Sequence, residues 1–213
     1  MTIYICGDST AASYSPDQAP LTGWGQALKE MISVPVDNRA MAGRSAKSFL
    51  YEGRLQAIER AIRPGDLMLI QFAHNDESDL VWRHTDPWTS YYRCLALYLD
   101  TALTRGAIGV LLTPLCCRNW AEGVLRESHG DYPDAVRTLA KQRNAPLIDM
   151  YSESRALVAD MGEEKSRRLF MHLAPGAYPA YPDGLTDDTH TQRAGAEAFA
   201  RIVKDGLTAL KLI

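Results

Sequence analysis

Ser9 stands in Gly7-Asp8-Ser9-Thr10, directly after the first apolar run, and His190 stands in Asp187-Asp188-Thr189-His190, just ahead of the last helical pattern. A serine at a strand exit, an imidazole and a carboxylate close by are the parts of a nucleophile, a general base and its orienter. A serine hydroxyl is a weak nucleophile until an adjacent base takes its proton, and this chemistry is defined by roles and geometry rather than by chain order. Neutral imidazole takes and returns a proton near neutral pH. Asp187 reaches the second ring nitrogen across one tight turn; Asp188 needs a different backbone path, so Asp187 is the preferred orienter. Each piece also has a plainer role. Asp8-Ser9-Thr10 suits a helix cap, and the acids before His190 suit the dipole of the last helix. The hydrolase reading requires the two segments to meet.

Two further segments weigh on that condition. Asn38 to Ser45 follows the second expected strand, and Ala73-His74-Asn75-Asp76 follows the third. Gly43 offers an unobstructed backbone N–H and Asn75 a neutral amide donor. With the Ser9 N–H they would form an oxyanion hole for a tetrahedral intermediate. Alone, Gly43 reads as a turn glycine and Asn75 as an Asx-turn. Together, in this order and at strand ends, the segments favour a serine hydrolase.

The elements that must position them alternate. Ile3 to Cys6, Val34 to Asn38, Leu67 to Phe72, Ile108 to Leu112 and Pro146 to Ile148 read as strands, and the third run is almost continuously apolar, as a strand covered on both faces should be. Helical patterns cover Gly25 to Ile32, Ser45 to Ile62, Pro87 to Leu103, Tyr132 to Arg143, Tyr151 to Met161 and Thr191 to Leu212. Alternation of this kind predicts a three-layer α/β/α, flavodoxin-like domain over residues 1–213, with a parallel sheet of about five strands. The irregular stretches 76–88, 114–131 and 172–188 should surround the carboxyl ends of the strands, where such sheets bind ligands.

The 213 residues are 46% hydrophobic and 23% charged, with a net charge of -3, which is ordinary globular composition. Nothing forms a basic footprint for nucleic acid or a polybasic stretch for anionic lipid. No apolar run is long enough to span a bilayer. Met1-Thr2-Ile3 carries no basic leader and no small-residue cleavage site, so the expectation is a cytoplasmic protein, or a secreted one if a signal was trimmed before Met1. Cys6, Cys94, Cys116 and Cys117 lack metal or redox spacing. The oligomeric state is left open.

The ordered set GDST, GRS, HND, DDTH and a following Gly195-Ala196 resembles the SGNH (GDSL-like) hydrolase superfamily, and within it the rhamnogalacturonan acetylesterase branch. No block is specific by itself; the set spans nearly the whole chain. The resemblance implies Ser9 as nucleophile, Asp187 and His190 as its triad partners, and Ser9, Gly43 and Asn75 as the oxyanion hole. Ala73 departs from the branch, which commonly has glycine there. The G-x-S-x-G elbow of the other large serine-esterase fold is absent.

Further residues are candidates for holding substrate. Trp82, Trp88 and Trp120 lie in or beside the mouth loops and could stack on sugar rings. Arg44, Arg83 and Arg118 suit a planar uronate carboxylate. Asp8 and His74 are placed with them as substrate contacts, His74 also as a candidate orienter of the Asn75 loop. His84, His129 and His172 have no paired spacing, so no metal is expected, and the chemistry needs no cofactor. The leading expectation is removal of O-acetyl groups from plant cell-wall oligosaccharides, pectic ones first, through an acetyl-enzyme on Ser9. A lipase or thioesterase of the same superfamily is the alternative enzyme, and a non-catalytic flavodoxin-like binding module the alternative of another class.

Overall fold

A computed structural model describes residues 1–213. Its centre is a parallel five-stranded sheet. The strands are β1 (Ile3–Gly7), β2 (Val36–Asn38), β3 (Leu67–Gln71), β4 (Ile108–Leu112) and, after a small hairpin of β5 (Trp120–Ala121) and β6 (Val124–Leu125), β7 (Leu147–Ile148). Their order across the sheet is β2-β1-β3-β4-β7. Every residue of β1 and β3 is buried, which explains why both read as unbroken apolar runs.

Side chains alternate across the sheet and divide the interior in two. Ile3 and Ile5 of β1 face α1 (Trp24–Met31) and α7 (Arg193–Ala209), together with Trp24, Leu28 and Phe199. Tyr4 and Cys6 face the opposite layer, built from α2 (Ala46–Tyr51), α3 (Arg54–Ala61), α4 (Tyr92–Thr104) and α5 (Tyr132–Arg143). There Phe49, Phe72 and Tyr98 meet with ring centroids 5.3–6.1 Å apart, separations at which aromatic pairs add to plain area burial. The sixth helix, α6 (Met150–Ser166), lies beside α7 in the first layer. No helix is long and apolar enough to cross a membrane.

Two expectations about elements need correction. The single helix expected over Ser45 to Ile62 is two, because Gly53 turns the chain at φ 71° between α2 and α3. The apolar spacing continues across that break, so periodicity alone does not register it. The stretch 172–188 is not a free loop. β8 (Phe170–Leu173) and β9 (Leu185–Thr191) form an antiparallel pair outside the main sheet. Adjacent Phe170 and Met171 pair with Thr191 and Asp187, so residues 188–190 have no partner and bulge from the ladder. Such irregularities re-aim side chains near functional sites. Here the bulge carries His190.

Candidate active site

The site forms at the carboxyl ends of β1, β2 and β3. β1 ends at Gly7, and the next three residues are locked by the fully buried Asp8. Its carboxylate accepts the Thr10 N–H at 2.9 Å and the Thr10 hydroxyl at 2.8 Å. The Tyr14 hydroxyl donates to the Ser9 carbonyl at 2.7 Å. Ser9 is thus pinned on both sides. The residues after it form a single turn rather than a helix, which removes the capping role.

The segment from β9 meets it. His190 Nε2 lies 2.9 Å from Ser9 Oγ, across 181 residues of sequence. His190 Nδ1 lies 2.7 Å from Asp187 Oδ2, while Asp187 Oδ1 accepts the N–H groups of Thr189 and His190 at 2.8 and 2.9 Å. Burial raises a carboxyl, but these donors and His190 outweigh it and lower Asp187 to about 2. Asp188 points elsewhere, accepting from Arg118 Nη1 at 2.8 Å and pairing with His172 at 2.7 Å. The helix cap before α7 is Gln192, so neither acid serves it.

The other two oxyanion-hole candidates, Gly43 and Asn75, lie on the loops that follow β2 and β3. Gly43 adopts φ 79°, and a Cβ built there would meet nothing within 4 Å, so the requirement for glycine is conformational. The N–H groups of Ser9 and Gly43 have no acceptor within the protein. Asn75 donates to the Arg44 carbonyl at 3.1 Å and accepts from Arg83 Nη1 at 3.0 Å. The fully buried Asp76 ties the two loops together: it accepts the first amide of α2, Ala46 N–H, at 3.0 Å and the Thr85 hydroxyl at 2.8 Å. Burial pushes its carboxyl up to about 8, against these two hydrogen bonds. Ala73, where glycine was expected, holds φ 156°, a backbone more costly for alanine than for glycine. Its carbonyl closes the turn by accepting the Asp76 N–H at 2.8 Å.

Beside the triad opens a cleft of about 330 Å³ lined by Tyr14, Ala42, Met171, Tyr181, Leu185 and His190. Tyr14 and Tyr181 were missed by sequence reasoning; nothing in their neighbourhoods marks them. The proposed substrate contacts separate. Trp82 and Trp88 are about half exposed, with Arg83 stacked 5.4 Å from the Trp82 ring and Trp88 Nε1 donating to Asp131. Arg44 is partly exposed and bound to Glu52. Trp120 instead packs its ring against the first core layer. Asp8 is wholly buried and the His74 side chain 6% exposed, so neither touches a sugar. They pair with each other, His74 Nδ1 to Asp8 Oδ2 at 3.2 Å. Arg118 is also buried, held by Asp188, Ser166 and the Glu163 carbonyl. Beneath the triad turn, His74, Cys117 and His129 converge, a grouping their sequence spacing conceals.

Comparison with known proteins identifies relatives over nearly the whole chain. The chain is 40% identical over 213 residues to the rhamnogalacturonan acetylesterase RhgT of Bacillus subtilis (strain 168), covering 99% of this chain and 90% of that protein. It is 37% identical over 213 residues to the probable rhamnogalacturonan acetylesterase YesY of the same organism, covering 99% and 94%. Among solved structures, YxiM of Bacillus subtilis superposes with a TM-score of 0.83 at 29% identity, over 99% of this chain and 56% of that one. An acetylxylan esterase from Geobacillus stearothermophilus, 17% identical and covering 97% of this chain and 93% of its own, shares the fold with a TM-score of 0.66. The sequence profile of the GDSL-like Lipase/Acylhydrolase family matches residues 5–198, and this chain belongs to that family.

Proposed function

We propose that this protein is a serine acetylesterase that removes O-acetyl groups from pectic, rhamnogalacturonan-type oligosaccharides. The observation that carries the reading is the unbroken line Ser9 Oγ, His190 Nε2, His190 Nδ1, Asp187 Oδ2, with steps of 2.9 and 2.7 Å. The names of the two Bacillus relatives support the substrate class.

In this reading His190 takes the Ser9 proton as Oγ attacks the acetyl carbonyl. Asp187 holds the imidazole in the tautomer that presents a bare Nε2 and stabilises the imidazolium that forms. The carbonyl oxygen becomes an oxyanion facing the N–H groups of Ser9 and Gly43 and the Asn75 amide, donors that need no reorganisation as charge develops. His190 returns its proton to the departing sugar oxygen, and Ser9 is left acetylated. Water, deprotonated by His190, attacks the acetyl-enzyme, and collapse of the second intermediate releases acetate and restores the Ser9 hydroxyl. The cleft beside His190 is small, about 330 Å³, and its lining includes Tyr14 and Tyr181, side chains suited to packing against a sugar ring.

Acetate release from acetylated rhamnogalacturonan, xylan and mannan oligosaccharides tests the substrate, and Ser9→Ala tests the nucleophile. The pectic substrate should be cleaved with the highest kcat/KM, and Ser9→Ala should lose turnover and fluorophosphonate labelling while unfolding like the wild type. Wild-type turnover in Ser9→Ala overturns the mechanism; preference for xylan or mannan overturns the substrate alone.

A further inference from the structure

Three side chains outside the triad come together in the interior behind it. One ring nitrogen each from His74 and His129 and the Cys117 sulfur all lie within 4.8 Å of one another, and Cys117 Sγ is 3.8 Å from His129 Nε2. We propose that His74, Cys117 and His129 bind one zinc-class transition-metal cation, in a site distinct from the Ser9, His190 and Asp187 triad and adjoining it through Asp8 and Thr189.

The carboxylates behind the two histidines support this first. His74 gives Nδ1 to Asp8 Oδ2 at 3.2 Å, and His129 gives Nδ1 to Glu77. Each imidazole is therefore anchored by a carboxylate on Nδ1; His74 Nε2 is free, and His129 Nε2, which donates to the Leu115 carbonyl, lies 3.8 Å from the Cys117 sulfur. Metal-binding histidines almost always carry such a carboxylate or carbonyl on the distal nitrogen, which sets the tautomer and raises ligand basicity.

The orphaned nitrogen is the second, independent support. His74 Nε2 is buried and has no hydrogen-bond partner, in a side chain only 6% exposed. Leaving such an atom unpaired is costly, and a cation between the three groups would satisfy it.

The dimensions and ligand types fit. Zinc bonds of about 2.0–2.1 Å to nitrogen and about 2.3 Å to sulfur place tetrahedral ligand atoms roughly 3.5 Å apart. The Cys117 to His129 spacing of 3.8 Å is already close to this, and no other spacing exceeds 4.8 Å. One thiolate with two imidazoles selects zinc, cobalt or copper over magnesium or calcium. A three-residue set leaves a fourth position for water. The Thr189 hydroxyl, 3.7 Å from Cys117 Sγ, lies close to the set. On binding, the ion takes the lone pairs of both Nε2 atoms and the Cys117 sulfur. Any protons on those atoms pass to solvent, and the His129 Nε2 bond to the Leu115 carbonyl at 2.8 Å is given up.

Cobalt reports on the ligands directly. Chelator-treated, reduced protein titrated with Co²⁺ should take up one equivalent. It should develop a near-ultraviolet sulfur-to-cobalt charge-transfer band and the intense visible bands of four-coordinate cobalt. Zn²⁺ should bleach them one for one. Cys117→Ser should lose the charge-transfer band, and His129→Gln should weaken binding at least tenfold. In the wild type, saturating Zn²⁺ should protect Cys117, and not Cys94, from alkylation as mapped by mass spectrometry. That measurement stands even if a variant does not fold. Absence of the band in wild-type protein with excess Co²⁺, its persistence in folded Cys117→Ser, or alkylation of Cys117 unaffected by Zn²⁺ overturns the proposal.

Discussion

Arg83 donates from Nη1 to Oδ1 of Asn75 at 3.0 Å, and this bond decides which way the Asn75 amide faces. Guanidinium has no acceptor, so the amide oxygen must lie towards Arg83 and the NH₂ away from it. One of the two N–H bonds goes to the Arg44 carbonyl. The other is left for an oxyanion. Removing an oxyanion donor costs about 3–4 kcal/mol, and Asn75→Ala should therefore lower kcat by roughly a hundredfold to a thousandfold with KM little changed. Arg83→Met should lower kcat by about tenfold, the scale of one lost hydrogen bond. In the Asn75→Ala background the same change should cost almost nothing. A full tenfold loss there would place Arg83 on the substrate instead.

Asp187 and Asp188 are neighbours with separate partners, and kinetics should divide them. Asp187→Asn can offer an amide N–H where His190 Nδ1 needs an acceptor, which favours the wrong tautomer. Its kcat should fall on the order of a thousandfold or more. Asp188→Asn should leave kcat within a few-fold. It weakens the pairing of the buried Arg118, so its Tm should drop by several degrees. Comparable kcat losses in the two variants would assign the orienter wrongly.

Asp76 should make stability depend on pH in a particular direction. Its folded-state value is raised from 3.8 to about 8 by burial. Between those values the folded chain holds a proton that the unfolded chain has released, so stability falls as pH rises through that interval. Asp76→Asn keeps an acceptor for the Ala46 N–H and carries no charge. Its Tm should decline less steeply than the wild type between about pH 4 and 8. A parallel decline would show that other groups set the slope.

Gly43→Ala separates strain from contact. Nothing obstructs the added methyl, yet φ 79° disfavours alanine by about 1–2 kcal/mol. A Tm loss of a few degrees should accompany a larger proportional loss in kcat, because relaxing the backbone turns the Gly43 N–H away. Gly195→Ala is the contrast: its methyl would lie 2.0 Å from the Leu169 carbonyl oxygen, and the folded protein should hardly accumulate. Unchanged kcat in Gly43→Ala would remove that N–H from the hole.

Much of this was legible in the residues. β1, β3 and β4 are short apolar runs ended by polar residues or turns, and Ser9 and Asn75 stand just beyond the first two. What was not legible depended on partners distant in sequence. The β8–β9 pair escaped because Leu185 to Thr191 is mostly polar, and its strand character comes from pairing with Phe170 to Leu173. Asp8 and His74 looked like substrate contacts because they flank Ser9 and Asn75. Their mutual pairing, 66 residues apart, together with the Thr10 bonds to Asp8, makes burying both groups tolerable. Cys117 and His129 carry no spacing signal because their third companion comes from another loop.

The bond between Ser9 and His190 joins the first strand to a segment 181 residues later, and Thr22 and Thr191 clasp the same two regions with bonds of 3.0 and 2.5 Å. Neither catalytic group has any use before α7 has docked on α1 and the β9 bulge has settled. Contacts of such separation are slow to form. In a refolding experiment, recovery of turnover is therefore a clock for the final long-range closure. It should lag behind the return of helical circular dichroism, and a chain halted before Asp187 would be folded in part and wholly silent.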